Sequence, residues 1–143
     1  MKALLLLAAC LPAMAVTPLR LHPENPHYFL FRGRPAMLVT SGEHYGAVLN
    51  LDFDYKAYLA ELQRHNLNHT RTFAGAYREV PGSFDIGNNT LAPKDDRFLS
   101  PWMRDGDRFD LTRWNPAYFA RLKDFLREAS RRGRRAESLL PVL

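Results

Sequence analysis

The first strong pattern along the chain is an apolar run, Ala3 to Ala15, which follows Met1-Lys2 and closes on the small-x-small triplet Ala13-Met14-Ala15. A short positive region, an apolar stretch and a small-residue cleavage site in that order predict a secretory signal cut after Ala15. The run is shorter than the about 20 residues of a membrane-spanning helix, so no stable membrane span is expected. Thr17 to Pro26 then carries Pro18, Pro23 and Pro26 and reads as an extended lead-in.

Two strand-like runs follow. Tyr28-Phe29-Leu30-Phe31 and Ala36-Met37-Leu38-Val39-Thr40 flank Arg32-Gly33-Arg34-Pro35, a tight connection in which Gly33 can take the positive φ of a hairpin turn. The second run is nearly continuous in apolar residues, the pattern of a strand buried on both faces. From Asp54 the period becomes helical, with Tyr55, Tyr58, Leu59 and Leu62 on one face and Lys56, Glu61 and Arg64 facing away. Asp52 or Asp54 can cap this helix, and Asn66 can stop it. A short strand is expected in Leu67 to Phe73, where Thr70 and Thr72 are β-branched.

Ala74 to Leu111 is far longer than the usual loop of about 4 to 6 residues. Its apolar residues, Phe84, Ile86, Leu91, Phe98, Leu99, Trp102 and Phe109, predict an ordered loop folded over the domain. A second helix begins where Asn115 can cap and Pro116 sits at the first helical position; Tyr118, Phe119, Leu122, Phe125, Leu126 and Ala129 form its apolar face, and Gly133 ends it. A buried Val/Ile strand should come next. Residues 134–143 instead open on Arg134-Arg135 and show no strand alternation, so they read as an aberrant tail.

Composition changes this picture little. With 46% hydrophobic and 24% charged residues the chain is neither disordered nor membrane-embedded. Of the formal +5, Arg131, Arg132, Arg134 and Arg135 set against Glu137 account for three and Lys2 for one, leaving a nearly neutral body. No basic stripe interleaved with aromatics is present, so no nucleic-acid partner is expected. The single Cys10 lies in the leader and leaves the mature domain without a disulfide. Leu7-Ala8-Ala9-Cys10 also fits the box at which bacterial lipoproteins are cut and lipidated. Export to the periplasm or exterior is expected either way, with a lipid anchor on Cys10 in the second case.

The stretch from His22 to Gly133 resembles the opening of secreted bacterial (β/α)-barrel proteins classed as cellulase-like glycoside hydrolases. The likeness rests on Ser41-Gly42-Glu43-His44-Tyr45-Gly46, on Leu51-Asp52-Phe53-Asp54-Tyr55, on Asn68-x-x-Arg71 and on Phe109-Asp110-Leu111-x-x-Trp114-Asn115-Pro116-x-Tyr118-Phe119. It implies an α/β fold, an incomplete (β/α) TIM-barrel fragment with an N-terminal β-hairpin and a long ordered loop. Residues 16–133 would form the barrel portion, with the segments around Val39 and Thr70 as neighbouring parallel strands. A whole barrel takes roughly 250 residues, so the 143 here are expected to hold only part of one.

Barrel active sites lie at the carboxyl ends of the strands, which gathers Ser41 to Tyr45, Arg71 to Ala76 and the long loop around one mouth. By resemblance, Arg71 would hold a nucleophilic carboxylate charged and oriented, since a guanidinium can donate two parallel hydrogen bonds to it. Retaining hydrolysis needs two carboxyl groups about 5 to 5.5 Å apart. The resemblance draws those glutamates from the fourth and seventh strands, so no catalytic residue is carried over and the chain is expected to be inactive.

Candidate carbohydrate-binding residues are therefore Glu43, His44, Tyr45, Arg71, Tyr77 and Trp102. Glu43 and His44 would contact hydroxyls, while Tyr77 and Trp102 would stack on a pyranose face; equally, Glu43 can cap a turn, His44 can pack beneath the loop and Trp102 can anchor it. The alternative function is a non-catalytic, secreted or lipid-anchored carbohydrate-binding protein. No cofactor and no metal are expected: His65 and His69 straddle a helix end and a strand start, so they would not share a face. Gly82, Gly87 and Gly106 lack phosphate-loop spacing, and no glycine precedes Ser41 as a nucleophile elbow requires. The sequons at Asn68 and Asn88 fall in a bacterial-looking secreted chain, where glycosylation is not expected.

Overall fold

The structure, a computed structural model, describes residues 19–40, 44, 46–72 and 77–132, together with the backbone of 138–141. The leader with Cys10, and also Ser41, Gly42, Glu43, Tyr45 and Gly133, lie outside the described residues. The chain divides into two compact units, Met1–Met37 and Leu38–Leu143.

In the first unit, β1 (Arg20–Leu21), β2 (Phe29–Phe31) and β3 (Arg34–Ala36) form an antiparallel sheet in that order. Phe31 pairs with Arg34, so the hairpin loop is the dipeptide Arg32-Gly33, with φ of 47° and 77°. Positive φ at both central positions is the type I′ geometry whose twist suits a hairpin, and Gly33 plays the part expected of it. The second strand starts two residues early and ends at Ala36, because so short a loop draws Arg34 and Pro35 into the ladder.

Residues 37–40, expected to continue the strand from Ala36, form none, and Met37 and Val39 are exposed rather than buried on two faces. Val39 does meet the residues before the next strand, through a clamp: its carbonyl accepts from the amides of Asn68 and His69 at 3.0 and 3.1 Å. Its own amide donates to Asn68 Oδ1 at 2.7 Å. A side chain thus takes the place of a ladder partner.

Helix α1 (Tyr55–Arg64) is capped by Asp54, whose Oδ1 accepts from the amides of Lys56 and Ala57 at 3.0 Å each. Asn66 takes a left-handed φ of 57°. The Leu67 amide returns to Leu62 O at 2.9 Å and the Asn66 amide to Gln63 O at 3.1 Å, the paired bonds of a Schellman stop. Strand β4 (His69–Thr72) follows, with Thr70 and Thr72 buried and His69 and Arg71 only half-buried on the alternate side.

From Tyr77 onward the long connection folds against the rest of the unit, as expected, but it contains a hairpin that the apolar pattern did not reveal. After 3₁₀ turns at Ser83–Asp85 and Asp95–Arg97, β5 (Trp102–Asp105) pairs antiparallel with β6 (Arg108–Trp114). Gly106 opens the Gly106-Asp107 loop with a φ of 58°, and glycine at the first central position is the II′ signature. Leu91, Phe98 and Leu99 anchor the connection, whereas Phe84 is 79% exposed and Ile86 and Phe109 are also exposed.

Helix α2 (Pro116–Arg132) starts as the sequence predicts, with the Ala117 amide donating to Asn115 Oδ1 at 3.1 Å. Tyr118, Phe125 and Ala129 are buried and pack with Tyr55, Leu59, Ala47, Val48 and Leu99 as the core. Phe119, expected on that face, is exposed instead. The chain then returns in β7 (Ser138–Pro141), which pairs parallel with β4, His69 opposite Ser138 and Thr72 opposite Pro141. That strand falls in the segment where the sequence showed no strand alternation. The result is a mixed α/β fold in which α2 leads into the strand that completes the parallel pair.

Candidate functional site

The residues from Gly46 to Phe53 lead into α1 and are gripped both by α2 and by the long connection. From α2, Arg121 Nε donates to Val48 O at 2.9 Å, and its Nη2 reaches the carbonyls of Ala47, Asn50 and Phe53 at 3.3, 2.8 and 2.9 Å. The same guanidinium lies 4.7 Å from the centre of the Tyr55 ring. Five N–H donors in a rigid plane suit such convergent carbonyls, while burial pushes the guanidinium pKa down. From the long connection, Leu51 N donates to Arg97 O at 3.0 Å and Leu99 N to Leu49 O at 2.7 Å. Arg97 also pairs with Asp52 at 2.7 Å.

This seated turn positions His44. Its ring stacks on Phe53 with centroids 3.6 Å apart and 22° between planes, and Nε2 hydrogen-bonds Thr90 Oγ1 at 2.7 Å. Nδ1 is buried without a hydrogen-bond partner. Desolvation holds the imidazole below its usual pKa of 6.5, because charging a ring packed on phenylalanine forfeits hydration. Gly46 allows the close approach: a Cβ there would meet Thr90 O at 2.9 Å and His44 Cε1 at 3.2 Å. Asn50 Nδ2 completes the join by donating to Thr90 O at 2.8 Å.

On the connection itself, buried Glu79 accepts from the Asn89 side-chain amide and from the Tyr77 hydroxyl at 3.4 Å. The Glu79 amide donates to Leu91 O at 2.9 Å. Tyr77, through Glu79, and His44 are thus linked by the Asn89-Thr90 dipeptide. Arg71 is half-buried on β4. Thr70, its neighbour, shares a hydrogen bond with Tyr58 of α1, so Arg71 alternates to the face of β4 turned from that helix.

Of the candidates, Glu43 and Tyr45 lie outside the described residues. Trp102 belongs to a separate group. Its ring stacks with Trp114 at 6.2 Å and 22°, and Trp114 meets Phe119 edge-on at 5.5 Å. His65 Nε2 sits 2.9 Å from Glu61 Oε1 at the end of α1. Among the described residues no group of three or more His, Cys, Asp or Glu side chains converges as a metal site, and no helix is long and apolar enough to cross a membrane.

Asn50, Glu79, Asn89, Thr90, Arg121 and Trp114 were not singled out by sequence reasoning as site residues. The first five act through contacts spanning ten or more residues, for which no local signal exists. Trp114 carried a signal, as one of the chain's two tryptophans placed just before a helix cap. Comparison of the chain with protein-family models, with characterised proteins and with solved structures returns no match.

Proposed function

We propose that this chain carries the first strands and helices of a glycoside-hydrolase-like barrel, that its rim binds carbohydrate, and that by itself it hydrolyses no glycoside. The observation that carries this reading is the placement of Arg71. Both Thr70 and the core helices lie to one side of β4, and Arg71 alternates to the other, which in a (β/α)-barrel is the interior where the mouth opens. The parallel return of β7 after α2 is consistent with the same repeating unit. Tyr77 and Arg71 would supply hydroxyl contacts, and His44, neutral near neutral pH with Nε2 bonded to Thr90 and Nδ1 buried, would brace the Asn89-Thr90 segment beside Tyr77 and so report binding there.

The test is isotope-edited NMR of the purified chain titrated with cellohexaose, xylohexaose, laminarihexaose and mannohexaose, alongside an assay on the matching polysaccharides and aryl glycosides. Saturable shifts at the His44 ring and the Arg71 Nε–H, with no product released, are expected. Absence of shifts at both residues with every hexaose sinks the binding part of the reading, and release of reducing sugar sinks the inactive part.

The stacked Trp102 and Trp114 rings favour a second reading, a non-catalytic secreted carbohydrate-binding protein. It makes the same forecast for hydrolysis and moves the principal contact from the rim to the β5–β6 hairpin.

A further inference from the structure

We infer that Trp114, backed by Trp102 and flanked by Phe119, is a carbohydrate-stacking platform distinct from the rim of His44 and Arg71. For its ligand class the inference rests on the carbohydrate reading above. Trp114 is 63% exposed and Phe119 41% exposed, an unusual outlay of apolar area on two adjacent large rings.

These rings are held in place. Trp114 pairs with Trp102 across the hairpin. The following Asn115 donates from its amide to Pro101 O at 2.7 Å and from its side chain to Ser100 O at 3.0 Å. Behind Trp114 the half-buried Trp102 ring lies nearly parallel, so the exposed indole has little freedom left to lose when a ligand covers it. That is the preorganisation a weakly bound sugar needs.

The size of the patch selects the occupant. Aromatic side chains bury about 150 to 250 Å² each, and a stable protein partner needs roughly 800 Å² from each side. Trp114 and Phe119, even with Phe109 and Leu111 of the same strand, are each only 38% to 69% exposed and together fall short of a dimer interface, whereas one indole face matches one pyranose ring. The same strand carries hydrogen-bonding groups suited to hydroxyls. Asp110 Oδ1 accepts from the amide and hydroxyl of Thr112 at 2.9 and 2.6 Å, and Arg113 lies 3.7 Å from Asp110 Oδ2 with its side chain 61% exposed.

Trp102 and Trp114 are the chain's two tryptophans, so indole emission reports this pair alone. The experiment titrates the purified chain with the same four hexaoses, reading tryptophan fluorescence and calorimetric affinity. At least one hexaose is expected to shift the emission saturably. Trp114→Ala should weaken that hexaose at least tenfold, and Trp114→Tyr, which keeps a flat ring, should retain most of the affinity. An unfolded Trp114→Ala protein is recognised by its circular dichroism, and Phe119→Ala then serves in its place with a severalfold loss expected. Unchanged affinity in these variants, or a silent tryptophan spectrum while His44 and Arg71 shift, overturns the platform and leaves the rim reading intact. Emission changes without rim shifts do the reverse. Sedimentation showing a wild-type dimer that Trp114→Ala makes monomeric assigns the surface to a second copy and also overturns the inference.

Discussion

Arg121 of α2 and His44 both contact the segment from Gly46 to Phe53, Arg121 through its carbonyls and His44 by stacking on the Phe53 ring. Arg121→Met removes donors from the carbonyls of Ala47, Val48, Asn50 and Phe53, and stranded buried acceptors cost more than the lost bonds alone. A loss of about 2 to 4 kcal/mol in urea unfolding is expected, with Arg121→Lys recovering little because one ammonium cannot span four carbonyls. His44 gives a pH test. Its folded pKa lies below 6.5, so between the two values the unfolded chain binds the proton more readily and stability rises with pH. The contribution is complete above the unfolded value of about 6.5 and is lost as pH falls beneath it. Urea midpoints should therefore drop from pH 7 to pH 5 in the native protein, and His44→Gln should flatten that slope. The lowered carboxyls of Asp95, Asp110 and Asp124 act in a lower window, below their ordinary value of 3.8.

At the scale of elements, caps were the most legible features. Asp54, Asn66, Asn115 and Pro116 could be placed from sequence because a cap is satisfied within a few residues of itself. Asn66 sits at a φ of 57°, which asparagine tolerates and alanine does not. Asn66→Ala should cost about 1 kcal/mol and Asn66→Gly should be neutral or slightly stabilising, read from thermal midpoints. The β5–β6 hairpin was missed although Gly106-Asp107 is a sound turn signal. Its strands have mostly exposed residues, and without a buried face there is no alternation to detect. Phe119 was misplaced for the complementary reason, since helical period marks apolar positions without saying which neighbour covers them.

For the whole molecule the decisive features are long-range. Among the described residues β4 has one partner strand, β7, and the β5–β6 ribbon pairs with nothing else. Unpaired strand edges are templates for association, so the apparent molar mass from light scattering of the purified chain should rise with concentration. A clear, monodisperse solution at high concentration would count against open edges. Of the residues around the candidate site, His44, Tyr77 and Arg71 were named from the sequence. Thr90, Asn89 and Glu79 were not, since their partners are set by how the connection folds back over Gly46.

What the sequence alone determined is local: the turn at Arg32-Gly33, the starts of both helices and the stop of the first, and the order in which they occur. These follow from φ preferences, caps and the 3.6-residue period, all expressed within a few positions. Only the tertiary structure decided that Val39 is clamped by Asn68 instead of lying in a strand, that Ser138–Pro141 returns beside β4, and that Trp102 backs Trp114. Each of these is a choice among distant partners, and such choices are settled by packing and hydrogen-bond satisfaction across the fold.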